Sequence, residues 1–242
     1  MWKHWHKPEW RMTRALALGA MLLTLLPWAL SAADWTLRSK TDAAVQLWTD
    51  DSRTPFRHVR AETVIAAPIL PLLELLQDPA SQPHWLPYTH QVEILQQTAP
   101  EQTLVRFETQ ARWPFAARDA VTLFQVSQPE ASTIRIDMLN RPDAIPPHAG
   151  IERIRQAEGH WQLQALDQCR TQVRYEAGNR WGGNVPQWLV DRMNAQLAQE
   201  ALQNLRKWAP DHYHDYSRPE HSRPEHSRPD YLQKVELHAH CD

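Results

Sequence analysis

The order of its hydrophobic periodicities constrains this chain most: short alternating runs fill residues 45–176, and then one long stretch, 186–208, changes to helical spacing. In that stretch Leu189, Met193, Leu197, Ala201 and Leu205 recur every four residues, which predicts an amphipathic helix with one face for burial. Its ends are marked. Gly182 and Gly183 precede it, Asn184 or Val185 stands near the cap, Pro186 falls in the first turn, and Pro210 lies just past the end.

The alternating runs read as strands. Val45 and Leu47, then Phe56, Val59, Ala61 and Val64, predict two strands joined by the polar turn 49–55. Residues 68–77 predict a short helix, with Pro68 in its first turn and Leu70, Leu73 and Leu76 at helical spacing. Residues 78–87 hold three prolines and are expected to be irregular. Further strands are expected at 92–95, 104–109, 121–126, 134–139, 151–154, 161–166 and 172–176. Short strands separated by polar or proline-containing stretches suggest an antiparallel meander. The fold class is therefore α+β, a sheet followed by one long helix.

Two flanking segments stand apart from this domain. Lys3, Lys7, Arg11 and Arg14 precede an apolar run, 15–26, and then Ser31, Ala32 and Ala33. Basic, apolar and small residues in that order make residues 1–33 a secretory signal peptide, cut after Ala32 or Ala33, with Met12 as an alternative start. The lesser alternative is an uncleaved anchor, because 15–33 carries no charge and approaches the roughly 20 residues that span a bilayer. The expected address is periplasmic or secreted. At the other end, Ser217-Arg218-Pro219-Glu220-His221 repeats at 222–226 and degenerates at 227–231. A proline in every unit removes backbone donors, and the segment has little apolar surface to offset its ordering entropy. Residues 210–242 are thus expected to be a disordered His/Pro-rich tail, leaving 34–209 as one domain.

Charge and motifs exclude several functions. Cleavage takes four of the 26 basic and one of the 28 acidic residues, leaving 22 and 27 and a net charge of −5. That balance offers no basic footprint for nucleic acid and no strong attraction to anionic lipid surfaces. No nucleophile elbow, H-E-x-x-H, C-x-x-C, phosphate loop or dinucleotide fingerprint occurs, and His148 and His160 in the later strands have no convincing partner. No catalysis and no cofactor is expected. Cys169 and Cys241 either pair in an oxidising compartment or remain two thiols; sequence leaves both open.

Several motifs, in order, resemble one family. Trp113-Pro114-Phe115-Ala116-Ala117-Arg118-Asp119 is similar to the W-P-x-x-x-R-D segment of START domains, the steroidogenic-acute-regulatory-related lipid-transfer family. Gly182-Gly183-Asn184-Val185-Pro186-Gln187-Trp188-Leu189-Val190 resembles that family's approach to its C-terminal helix. The run 56–65 followed by Ala67-Pro68, the tryptophan Trp85, and Gly159-His160-Trp161 match in the same order. The likeness spans residues 45–208. It implies a helix-grip fold, a curved antiparallel sheet with the long helix over an apolar cavity, that holds one lipid or sterol-like molecule without catalysis. A monomer with transient membrane contact is the expected state.

Within that fold, parity and periodicity make Phe107, Thr122 and Phe124 on strands, and Leu189, Met193 and Leu197 on the helix, the candidate ligand-binding residues; each is equally readable as packed core. Arg118 and Asp119 cannot both face inward, because successive strand residues point opposite ways; a structural role is favoured for them. Some family members carry an arginine deeper on this strand, where this chain has Thr122 and Phe124. Trp85 and Trp181 are candidates to dip into a membrane interface while the ligand exchanges, which needs residues 78–87 or the helix start to move. Two other classes compete: a polyketide cyclase-like enzyme of the same superfamily, and a metal chelator acting through His212, His214, His221, His226, His238, His240 and Cys241.

Overall fold

The structure, a computed structural model, describes residues 34–40, 45–111 and 115–216. Alternating side chains mark ten strands: β1 (Trp35–Lys40), β2 (Gln46–Asp50), β3 (His58–Ile65), β4 (Thr89–Ala99), β5 (Gln102–Thr109), β6 (Arg118–Glu130), β7 (Thr133–Asn140), β8 (Glu152–Arg153), β9 (Gln156–Ala165) and β10 (Thr171–Arg180). Three helices accompany them: α1 (Ile69–Gln77), α2 (Gln82–Trp85) and α3 (Gln187–Tyr216). The sheet runs β1-β2-β3-β10-β9-β7-β6-β5-β4, antiparallel along that path. The two-residue β8 lies off it and pairs in parallel with the start of β6, so it is no step of the expected meander.

The core sits between α3 and one limb of the sheet. On β3, Val59, Ala61 and Ile65 face inward, whereas Val64 turns out and is 39% exposed. Leu72, Leu73 and Leu75 of α1 join Leu202 and Leu205 of α3 and Leu163 of β9 in a contiguous apolar cluster. The long helix packs on β2, β3 and β10 and beside α1 and α2; it makes no comparable packing on β4, β5, β6 or β7. Its approach needs two left-handed residues in succession, and glycine supplies both, Gly182 at φ 75° and Gly183 at φ 61°.

Three differences from the sequence expectation have physical causes. Residues 78–87 are not irregular throughout, because Ser81 Oγ donates to Leu75 O, and Gln82 Nε2 donates to Leu76 O at 3.0 Å. These side chains satisfy carbonyls that the end of α1 leaves open, and they seat α2 there. Helix α3 does not stop at Pro210 but runs through it to Tyr216, within the span expected to be tail. The proline removes one donor, but Ala209 and Tyr213 are buried on either side of it, and Tyr216 Oη donates to Asp78 Oδ2 at 2.6 Å. Finally, the buried face of α3 is Val190, Asp191, Asn194, Ala198, Ala201, Leu202, Leu205, Ala209 and Tyr213, which shares only Ala201 and Leu205 with the stripe beginning at Leu189. A constant step of four over-rotates by about 40° each time at ~100° per residue, so Leu189 and Leu205 lie on nearly opposite sides.

Candidate functional site

Where α3 leaves the sheet uncovered there is a cavity of about 330 Å³, within the range of small-molecule sites. Parity on the strands determines its wall. Thr103, Val105, Phe107 and Thr109 of β5 alternate inward, as do Ala120, Thr122, Phe124 and Val126 of β6. Trp85 and Leu86 close one side, and Leu197 is the contribution of α3. Phe107 and Phe124 meet with ring centroids 5.6 Å apart. Trp161 is braced between Tyr175 at 4.6 Å and the edge of Trp85 at 5.8 Å.

The hollow arises from side-chain size along transverse rows of the sheet. One row reads Val126, Ile136, Trp161, Tyr175, which is bulky and fills its level. The next reads Phe124, Met138, Gly159, Ala177. A Cβ on Gly159 would lie 2.6 Å from Met138 Cε and 2.7 Å from Ala177 Cβ, so glycine is what lets these neighbours close in. With two of its four members nearly without side chains, this row leaves room above it. At the α3 end, Asn194 Nδ2 donates to Asn179 Oδ1 at 3.0 Å, and Gln187 Nε2 donates to Asp191 Oδ1 at 2.8 Å and to Asn179 O. These amides tie the helix start to the last turn of β10.

Positive charge is kept off the wall. Among the described residues it contains no Lys, Arg or His; its ionisable groups besides Tyr175 are Glu101 and Glu158. Glu158 is largely exposed and accepts from His58 Nε2 at 2.9 Å. Burial pushes the Tyr175 phenol up to about 12. The Arg118-Asp119 pair divides as the pleat requires. Asp119, 1% exposed, lies on the opposite face, where Arg106 Nε donates at 2.9 Å and Arg153 Nε at 2.6 Å. Burial raises the Asp119 carboxyl, but the hydrogen bonds from Arg153 and Arg106 outweigh it and hold the group below the usual carboxylate range. Arg153 also donates to the carbonyls of Pro142 and Ile145, fastening the segment before β8 to the sheet. Arg118 places its guanidinium 5.0 Å from the Trp181 ring centroid and donates to Ala116 O. Both residues are structural.

Of the sequence candidates, Phe107, Thr122, Phe124 and Leu197 line the cavity. Leu189 and Met193 are half-buried and stand outside its wall, displaced by the over-rotation of the four-residue stripe. Trp85 and Trp181 are 3% and 9% exposed; Trp85 packs in the wall and Trp181 beneath Arg118. The exposed tryptophan is Trp188, at 66%. Sequence reasoning missed Trp161, Tyr175, Met138 and Asn140 as wall residues. Parity on β9 and β10 carried the signal for Trp161 and Tyr175, once Ala177 and Val173 are read as inward. His160 is on the outer face of β9, and His148 lies exposed in the loop before β8.

The segment 1–33, Trp113 and Pro114, and the tail with His221, His226, His238, His240 and Cys241 lie outside the described residues. His212 and His214 belong to the last turns of α3, where His212 Nδ1 is 2.8 Å from Trp208 O. Among the described residues no three His, Cys, Asp or Glu side chains group as a metal site, and no helix is long and apolar enough to cross a membrane.

A curved antiparallel sheet gripping a C-terminal helix around an apolar hollow defines a START-type helix-grip domain. A solved fragment of a STAR-related lipid transfer protein from Xanthomonas axonopodis superposes with a TM-score of 0.65 at 25% identity, covering 72% of this chain and 97% of that one. Human StAR-related lipid transfer protein 5 gives 0.65 at 20% identity, covering 76% and 89%. An uncharacterised protein of Pseudomonas aeruginosa is 24% identical over 178 residues, 74% of this chain and 88% of its own length. The chain belongs to the polyketide cyclase/dehydrase and lipid transport family, whose model matches residues 65–206.

Proposed function

We propose that this protein takes up one apolar small molecule in its cavity and releases it unchanged, as a lipid carrier. The observation that carries this reading is the wall itself: a hollow of about 330 Å³ lined by aromatic and aliphatic side chains, with no histidine among its described residues and with Glu158 engaged by His58. Acid–base chemistry on a bound polyketide is served best by a group whose pKa lies near the operating pH; burial pushes Tyr175 up to about 12, and no histidine stands on the described wall. Burying ~300 Å² of apolar ligand surface is worth about 7 kcal/mol by area. Lost freedom reduces this to an affinity of micromolar order. Native mass spectrometry of the protein purified from its own source tests the reading. A bound apolar molecule recovered with unchanged mass after incubation supports it; a chemically altered product, or protein that stays empty when exposed to a total lipid extract, overturns it.

The site of action proposed here is outside the cytoplasm, on the basis of the basic-apolar-small order of residues 1–33. N-terminal sequencing of the periplasmic fraction checks it; a chain retaining Met1 or Met12 in the cytosol refutes it. Exchange with a membrane is assigned to Trp188, since an amphipathic ring exposed beside the helix start is suited to the interfacial zone.

A further inference from the structure

We propose that the cavity selects a neutral amphiphile, one whose polar head carries an uncharged oxygen acceptor, and that the Tyr175 hydroxyl is the donor that fixes this head. The inference rests on the apolar-ligand reading above and specifies the ligand's chemical class.

The charges argue first. An anionic head inside the hollow would lose its water without meeting a cation, since no Lys, Arg or His lies among the described wall residues. The buried arginines nearby lie off the wall, two of them ion-paired and Arg118 with its Nε unpartnered. Arg106 and Arg153 bind Asp119 on the opposite face of the sheet, and Arg118 lies over Trp181 with its Nη1 on Ala116 O. The ionisable wall carboxylates, Glu101 and Glu158, add repulsion. A cationic head gains little either, because Glu158 is largely solvated and already paired with His58.

Tyr175 supplies what remains. Its ring is on the cavity wall, held against Trp161 at 4.6 Å, and no hydrogen bond to its hydroxyl occurs among the described residues. Tyr175 is half-buried and its hydroxyl is open to the hollow, free to donate to a ligand oxygen. The sealed unpartnered wall atoms are two acceptors, Gln82 Oε1 and Asn140 Oδ1, whose cost a ligand hydroxyl would relieve. Burial pushes the phenol up to about 12, so the group remains a donor throughout the neutral range. A carboxylate or phosphate would also accept this one bond, but it would stay uncompensated on every other side.

The test uses the delipidated protein loaded with the neutral fluorophore N-phenyl-1-naphthylamine and displaced by three 12-carbon competitors at pH 7.5: dodecan-1-ol, dodecanoate and dodecyltrimethylammonium. Dodecan-1-ol is expected to displace the probe at a concentration at least tenfold below either charged analogue. Tyr175→Phe should raise that concentration about fivefold, the loss of one neutral hydrogen bond. Dodecanoate or the ammonium competing as well as the alcohol, or an alcohol curve indifferent to Tyr175→Phe, overturns the proposal. If Tyr175→Phe loses the fluorophore as well, wild-type protein labelled with 3-fluorotyrosine decides: one of the five tyrosine resonances must shift with dodecan-1-ol, and none shifting overturns the assignment. Failure of the folded wild-type protein to bind the fluorophore at all sinks the apolar-ligand reading instead.

Discussion

The cavity depends on a glycine that has no conformational need to be one, and Gly159→Ala exposes that dependence. Its φ is not in the left-handed region, so the constraint is contact alone. An added Cβ would stand 2.5 Å from Glu176 O, 2.6 Å from Met138 Cε and 2.7 Å from Ala177 Cβ. Ordinary carbon contacts begin near 3.3 Å to oxygen and ~3.5 Å to carbon, so each neighbour must yield by the better part of an ångström. Met138 can do so by swinging into the hollow. Glu176 O and Ala177 Cβ cannot, because Ala177 is the ladder partner of Gly159 and Glu176 that of His160. Overpacking of this kind costs about 1–3 kcal/mol, against which the stiffer unfolded chain returns ~0.4–1 kcal/mol. The net loss of roughly 1–2 kcal/mol corresponds to a fall in Tm of about 2–8 °C for a domain of this size. Thermal unfolding followed by circular dichroism measures it. The double variant Gly159→Ala/Met138→Ala should recover only part of the loss by relieving one of the three contacts, after allowance for Met138→Ala alone. An unchanged or raised Tm in Gly159→Ala would refute the claim that backbone approach between β9 and β10 shapes the cavity.

Other residues make equally definite predictions. Asp119→Ala leaves Arg106 and Arg153 buried without their counter-charge and should cost about 3–5 kcal/mol in a denaturant titration; a loss below 1 kcal/mol removes the structural assignment. Because the folded-state pKa of Asp119 is depressed, its stabilisation is complete above the unfolded value near 3.9 and disappears as pH falls through the lower folded value. The wild-type protein should therefore lose stability more steeply than Asp119→Ala between about pH 4 and pH 2, and parallel acid limbs would contradict this. Trp85→Ala should destabilise by about 3–5 kcal/mol as a core truncation, whereas Trp188→Ala should stay within ~0.5 kcal/mol and slow transfer between vesicles; the reverse ranking would return Trp85 to the surface. Amide hydrogen exchange should be fastest in β4 and α2 and slowest in β3 and β10, and uniform protection would deny that the two limbs of the sheet differ.

How much of this was legible in the sequence depended on whether the signal was local. The alternation in β3, β5 and β6 is local, and it located Phe107, Thr122 and Phe124 on the inner face because parity needs no partner. The change from period two to helical spacing located α3, and the five ordered motifs pointed to its grip on the sheet. What failed was non-local. The four-residue stripe on α3 named Leu189 and Met193, since a repeat of four and the true 3.6 coincide over two turns and part company over five. Pro210 read as a stop because the rule weighs one backbone donor and knows nothing of Ala209, Tyr213 and the bond from Tyr216 to Asp78. Residues 78–87 read as irregular because Ser81 and Gln82 act on carbonyls of another helix. The hollow was legible only through the family resemblance, because deriving it from the residues needs the register that sets Gly159 beside Met138 and Ala177.

The two limbs of the sheet differ in what covers them. Helix α3 packs on β2, β3 and β10, and there Val59, Ala61, Ile65 and Val173 are all but sealed from solvent. The other limb has β4 at its edge, with Ile94 49% exposed, and is held by strand pairing and by α2. A binding cavity must admit its ligand without unfolding the domain, and local opening draws on the least buried elements. The more accessible part of the wall is the β4 edge, whereas α2 is held where Asn204 Nδ2 of α3 donates to Trp85 O at 3.3 Å and stacking of His84 on Trp208 adds a second tie. Those two ties join α2 to the fixed helix. Cavity wall and core share Trp85, Ile136 and Trp161, so substitutions there should change the site and the stability together, whereas Leu202 and Leu205 anchor the fold away from the wall.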